Sequence, residues 1–478
     1  MLWQGIHIIT VILPLIMGFL SFLVKDKFAK QVNIFYLFIF SLFFIYILFS
    51  IFGLNLLSEK EYYVVIGGWK KAMGIELKYN LDCALVVLFL TLNMLIFIAT
   101  TIKEITIKYA FRGFACIMLC GANGIALTND IFNSYVFFEI ICIVTYIMYS
   151  HGDNIICLKN TYNYIILSSI AGTIFLLVIG FLYQITGELN IDLIHEFISK
   201  AYSTNKSISA IYVLFLLCMM LKIGFYPFHC IMLEIYKNIP LKYLIFAAGT
   251  TSIAYPFFIV KFVVNLFGSE VMLNNEYVGM AIKTFGCVGF LFFIFSALAA
   301  RNLINFIIFL SFSQTSLFTF FIPYLSEPQI KKGIIFMITS FSIIKVCIMA
   351  LLNDIQTQTK NAFFCKEDVK YINNSSYRYL ILILLFIISG MPLSLVFMSK
   401  WLILMGLVNS SLFNVLWISI IVVGFTIDIF ACFMVMKYFI VKNFDDILLD
   451  VKTNYLLLSI IMFIIILLIV GVFFIKGF

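Results

Sequence analysis

Five ionisable side chains fall deep inside long apolar runs of this 478-residue sequence: Glu139, Lys222, Lys345, Lys400 and Asp428. An ionisable group near the middle of a bilayer costs ~2.5–3.5 kcal/mol on insertion scales, so such a set favours an internal polar path over isolated structural residues. Glu139 lies in YVFFEIICIVTY (135–146), and Lys222, of opposite sign, lies two apolar segments later. The two can pair, and a buried pair changes state when a proton or a neighbouring charge moves. Movable charge of this kind is what an ion pump or antiporter needs. His229 follows Lys222 by about two helical turns and suits either of two roles, proton relay or partner to a backbone carbonyl freed at a kink. In SFSQTS (311–316), Ser313 and Gln314 could hold bridging water or serve as polar contacts between helices. Asp428 has no partner that the sequence identifies.

The elements that must position these residues are helices in a membrane. The chain is 64% hydrophobic and 11% charged, against roughly a quarter charged in soluble domains. Apolar runs long enough to cross a ~30 Å hydrocarbon core recur from end to end, about fourteen in all. Helices are expected because lipid-facing backbone must satisfy its own hydrogen bonds. The first run, 2–24, lacks a basic leader and is read as a retained helix. Lys and Arg number 17 in the connections after odd-numbered segments and 9 in the others, which places the odd connections in the cytoplasm and both termini outside. The net charge of +8 is mostly this asymmetry and not a nucleic-acid footprint. Lys261 and Lys283 fall near segment ends, where long side chains are expected to snorkel to the interface. The eleven cysteines are spaced singly; Cys116 and Cys120 share a helix face without His or carboxylate company and read as core. No haem, zinc or iron–sulfur signature is present, so neither cofactor nor metal is expected.

Two segments carry helix breakers beside a deep lysine. LKIGFYPFH (221–229) places Gly224 and Pro227 just after Lys222, and SGMPLSLVFMSK (389–400) places Gly390 and Pro392 just before Lys400. Proline frees a carbonyl and kinks a helix, which is tolerated in a membrane where the freed groups face protein or water. The breaks lie five segments apart. Two five-helix units of opposite orientation, an inverted repeat, would place one break in each. The expected fold is thus an all-α polytopic membrane protein with two inverted five-helix repeats, each containing a broken helix. Its expected divisions are N-terminal helices over 1–105, a first repeat over 106–265, a second over 279–437 and a C-terminal helix over 438–478. LNIDLIHEFISK (189–200) has amphipathic helical spacing and reads as a surface helix on the outer side.

Several stretches resemble the antiporter-like subunits shared by respiratory complex I, membrane-bound hydrogenases and Mrp-type Na⁺/H⁺ antiporters, and in particular the Mrp D-type subunit. They are GGWKKAMGIELKYNLD (67–82), GANGIALTNDIFNSYVFFEIICIVTY (121–146) and YQITGELNIDLI (183–194). Weaker matches continue through LKIGFYPFH, ARNLINFIIFLSFSQ (300–314), IIKVCIMALL (343–352) and GMPLSLVFMSK. The resemblance implies that Glu139 is the family's membrane glutamate and Lys222 its partner, with Lys345 and Lys400 continuing the polar axis. It also implies other membrane subunits as partners, H⁺ as a transported ion with Na⁺ as the candidate exchanged cation, and a multi-pass place in the plasma membrane. The chain departs from the family pattern at Ser252, where an eighth-helix lysine is usual, at Phe341, where many relatives have histidine, and at Leu233-Glu234 and Val396-Phe397. Three functions follow: a subunit of a cation/proton antiporter, a proton-pumping subunit of a redox complex, or a non-conducting structural paralogue. No enzyme chemistry of its own is expected.

Overall fold

A computed structural model describes residues 5–23, 29–53, 61–68, 71, 74–101, 109–151, 155–201, 207–268, 271, 276–359, 375–409, 415–440 and 453–475. Half of the 26 basic residues counted for orientation, among them Lys25, Lys103, Lys360 and Lys442, lie outside these residues. Among the described residues, nine helices are long and apolar enough to cross a membrane, and six shorter apolar helices accompany them. The chain divides into two units, Met1–Lys283 and Thr284–Phe478.

In the first unit α1 (Ile6–Leu23) and α2 (Ala29–Gly53) precede a short hairpin, β1 (Tyr62–Val65) and β2 (Glu76–Tyr79). Then follow α3 (Leu81–Thr101), α4 (Tyr109–Leu127), α5 (Ile131–Ser150), α6 (Ile155–Thr186), α7 (Ile191–Ala201), α8 (Ser207–Ile223), α9 (Cys230–Asn238) and α10 (Leu241–Lys261). Helices α3 and α10 are almost wholly buried, α10 packing on α3, α4 and α5. Helices α5 and α6 bury one face and turn Ile143, Ile166 and Leu177 outward, as apolar helices do where lipid is the solvent. The amphipathic stretch after α6 is a helix as expected: α7 buries Ile191, Ile194 and Ile198 and packs on the turn of π-helix Phe262–Phe267 after α10.

The hairpin is the element that a search for twenty-residue apolar runs does not find. β2 is only four residues long, yet all four are buried. Its charges are answered locally: Glu76 accepts hydrogen bonds from Asn129 (2.7 Å) and Asn190 (2.8 Å), and Lys78 pairs with Glu61 at 2.8 Å. Asn129 also donates to Asp192 (2.9 Å), which pairs with Lys71 at 3.1 Å. Main-chain bonds run through the same place, from Asn129 to Glu76 and from Ile131 to Leu189. The Asn129-Asp130 connection is thereby tied on both sides, and Asp130 caps α5 by accepting from the Asn133 amide at 2.7 Å. Burial pushes the Glu61 and Asp192 carboxyls up, but hydrogen bonds and charge from Lys78 and Lys71 hold both below the usual range. Burial likewise lowers Lys78, and its bonds to Glu61 and Tyr63 more than reverse this.

In the second unit α11 (Glu276–Ala299), which begins just before the division, leads into α12 (Leu303–Phe321), α13 (Pro328–Thr359), α14 (Ser375–Ile388), α15 (Leu395–Asn409), α16 (Val415–Ile440) and α17 (Tyr455–Ile475). α13 is nearly all buried and packs along α15; α14 packs on α16. The break expected at Gly390 and Pro392 separates two helices, α14 and α15.

Three basic residues depart from expectation. Lys261 does not reach for an interface: it is 5% exposed and donates to the carbonyls of Ala126 (3.2 Å) and Thr128 at the end of α4. Those carbonyls belong to the last turn of a helix and just beyond it, which lack intrahelical partners, and a cation there also meets the negative end of the helix dipole. Arg112 and Arg378, counted with the connections, lie buried within α4 and α14 and donate to the carbonyls of Thr101 and Phe439.

Candidate functional site: two lysine–carboxylate pairs at interrupted helices

Lys222 sits in the last turn of α8, directly before the chain breaks. Gly224 takes φ +75°, the Tyr226–Pro227 peptide is cis, and helix resumes at Cys230. From α5, Glu139 accepts a hydrogen bond from Lys222 Nζ at 2.6 Å. The ammonium also lies 4.5 Å from the centre of the Phe138 ring, an arrangement in which the aromatic face supplements the carboxylate. Tyr164 donates to the Lys222 carbonyl (3.4 Å), one of the acceptors that the ending helix leaves over. Opposite the pair stands Gly172, where a methyl group would lie 2.9 Å from Glu139 Oε1. The lysine side chain is 1% exposed and the glutamate 30%. The pair thus has one sealed member and one reachable from the surface of the chain.

The second break bears a second pair. α14 stops at Ile388, Gly390 takes φ +91° and Leu393 φ +73°, and α15 starts at Leu395. A left-handed residue that is not glycine costs of order 1–3 kcal/mol and persists where its surroundings hold it. From the second turn of α15, Lys400 reaches back over the break. Its Nζ meets Asp428 Oδ2 of α16 at 3.0 Å and the Ser389 carbonyl at 3.3 Å. The Phe425 ring centre is 5.0 Å away. Both side chains are buried, at 9% and 2% exposed. Asp428, which the sequence left unpartnered, is the acid of this pair.

The other predicted residues are placed elsewhere. Lys345 is 2% exposed on α13. His229 occupies the turn before α9, its ring stacked on Tyr226. Ser252, on α10, donates to the Gly249 carbonyl. On α12, Ser313 returns its hydroxyl to the Leu310 carbonyl, while Gln314 is buried with its Nε2 unpartnered among the described residues. Phe138, Phe425, Gly172 and Tyr164 escape a sequence search for charge, although Phe138 adjoins Glu139 and Phe425 lies one turn before Asp428. Cys116 and Cys120 are buried free thiols, in keeping with core. Among the described residues no cluster of metal-binding side chains occurs.

Apolar helices interrupted beside buried lysine–carboxylate pairs define the class, a polytopic helical membrane protein with internal ion pairs. The chain belongs to the NADH:quinone oxidoreductase/Mrp antiporter transmembrane family, whose sequence model matches residues 128–427, more than half of its length. It is 30% identical over 167 residues to the D-type subunit of the Na(+)/H(+) antiporter of Alkalihalophilus pseudofirmus, a match covering 34% of each protein. The chain thus spans about a third of that relative's length. Its fold superposes on a chain of the Mrp complex from Dietzia sp. with a TM-score of 0.83 at 14% identity, covering 100% of this chain and 96% of the other. A chain of respiratory complex I from Thermus thermophilus gives 0.80 at 14% identity, with 98% and 97% covered.

Proposed function

We propose that the protein is the proton-translocating, antiporter-like subunit of a multisubunit Na⁺/H⁺ antiporter in the plasma membrane. The observation that carries this reading is the 2.6 Å Glu139–Lys222 contact at a helix break. Glu139 is the member that can exchange a proton with its surroundings, because only its side chain is partly open. Protonating it removes the charge that holds Lys222, and the lysine then responds to the next charge in line. Lys345 and Lys400 continue the relay, with His229, Ser252, Ser313 and Gln314 as polar stations. Fourteen crossings, two inverted five-helix repeats and both termini on the outer side complete the architecture. The 30% identity to a D-type antiporter subunit favours a cation gradient as the driver. The shared fold with complex I keeps a redox-driven partner as the second reading.

The test uses the complex purified with its companion subunits and reconstituted in vesicles. Glu139→Ala and Lys222→Ala are each expected to abolish Na⁺-driven proton movement while the subunits still co-purify. Normal exchange in either variant would overturn the assignment. Companions bearing iron–sulfur or hydrogenase centres would transfer it to a redox pump.

A further inference from the structure

We propose that Asp428 is a second proton-binding carboxylate, which holds Lys400 when ionised and releases it when protonated. The inference rests on the proton-translocating reading above.

The two pairs share parts that no local sequence pattern predicts. Each has a lysine, a carboxylate from another helix, the face of a phenylalanine one turn or less from that carboxylate, and a glycine at close approach. A methyl at Gly172 would lie 3.6 Å from Lys222 Nζ, and one at Gly390 would lie 3.4 Å from Lys400 Nζ. Lys222 lies in the last turn of the helix before its break, α8, and the Lys400 ammonium reaches the C-terminal end of the helix before its own, α14, where the dipole favours positive charge.

The Lys400 site has one further part. Its ammonium has two oxygen ligands of different kinds, the Asp428 carboxylate and the Ser389 carbonyl. A proton taken up by the carboxylate neutralises the first ligand, and a carbonyl does not titrate. The ammonium keeps its charge, loses its counter-ion and still retains one seat. When the proton leaves, the ion pair re-forms. One proton binds and one is released per cycle, with water-derived H⁺ as the only reactant. A lysine with a single carboxylate ligand would be stranded at the same step, whereas Lys400 has somewhere to remain.

The experiment compares Asp428→Asn, Lys400→Met, the double variant and Asp428→Glu in the reconstituted complex, with Glu139→Ala as control. Asp428→Asn is expected to lower cation-driven proton flux at least tenfold with assembly retained. The double variant, which buries no net charge, is expected to assemble and to stay slow because Lys400 is itself part of the relay; it shows whether any failure of Asp428→Asn to assemble comes from the uncompensated charge. Wild-type flux in Asp428→Asn overturns the inference. Should the neutral variants fail to assemble, Asp428→Glu decides: retained flux with a shifted pH dependence supports the inference, and retained flux with the wild-type pH profile defeats it. Glu139→Ala separates the two levels. If that control exchanges normally, the antiport reading fails; if it is dead while the Asp428 variants run normally, this inference alone fails.

Discussion

Lys222 and Lys400 meet their carboxylates in opposite surroundings. The first pair is half open, with Glu139 at 30% exposure, whereas the second is closed on both members. The order of parts along the chain also differs. Lys222 precedes its break, and Lys400 follows its break and folds back across it. A helix end places both lysines all the same, since Lys222 belongs to the last turn of α8 and the Lys400 ammonium reaches the carbonyl end of α14. Exposure then divides the labour. On the proposed function, a carboxylate reachable from the surface of the chain takes its proton from what lies around it, whereas a sealed one must receive its proton through neighbouring groups.

The largest break in this comparison is expected from Asp428→Ala. Removing one member of a buried pair leaves an uncompensated charge, which costs about 3–5 kcal/mol. Glu139→Ala leaves a lysine that is equally buried, but at a site with a partly open edge, and a smaller loss is expected. Thermal unfolding of the two variants in detergent should place Asp428→Ala well below Glu139→Ala; equal midpoints would remove the distinction between an open and a closed pair. Lys261→Met sharpens the contrast from a third lysine, one with carbonyl ligands and, among the described residues, no carboxylate in hydrogen-bond contact. It should destabilise by about 1–3 kcal/mol per carbonyl left unsatisfied while leaving the cation dependence of flux unchanged. A shifted cation dependence would move Lys261 from the scaffold to the pathway.

Smaller effects probe the shape of each pocket. A methyl group at 172 would press on the carboxylate tip of Glu139, the flexible end of a side chain, so Gly172→Ala should assemble and slow flux several-fold by lengthening the ion pair. Unchanged flux would show that the 2.6 Å contact has slack. The smallest effect is that of pH on the hairpin knot, whose outer charges Glu61, Lys71 and Asp192 are partly exposed and worth about 0.2–1 kcal/mol each. Glu61 and Asp192 are held below their ordinary values, so their contribution is present above the unfolded carboxylate range and is lost as pH falls through the depressed folded values. Lys78 is held above its ordinary value, so its contribution is full below that value and fades only as pH rises beyond it. Proteolytic cleavage between β1 and β2 should accelerate at both extremes and be slowest near neutrality; a rate flat across pH would show that packing alone secures the hairpin.

Much of this was legible in the sequence for one reason: a charge in an apolar run is conspicuous. Glu139, Lys222, Lys345, Lys400 and Asp428 stand out by type alone, and Gly224, Pro227 and Gly390 announce the breaks. The membrane family was legible in the stretch that contains VFFE. Partners are harder to read. Asp428 has none in sequence because its lysine lies 28 residues away on a different helix, and helix rotation decides which side chains meet. The hairpin escapes because four-residue strands give a weak periodic signal, and because Glu76 and Lys78 read as exposed until Asn129, Asn190 and Glu61 arrive to satisfy them. Lys261 misleads because a place near a segment end suggests access to water, whereas the nearest polar partners are the carbonyls that end α4.

The engagement of Lys261 with Ala126 and Thr128 carries a consequence for how such proteins vary. Its acceptors are main-chain oxygens, which every residue type supplies. Substitution at 126 or 128 can alter the side chains freely, within the space available, and the clamp persists. Changes at the two ends of this contact are therefore not expected to be correlated, and a search for paired substitutions would pass over the bond that fastens α10 to the end of α4. The lysine–carboxylate pairs are the reverse case, since a change in either partner demands an answer from the other. One set of buried lysines is thus tied to partners by chemistry, and the other is tied only to the path of the backbone.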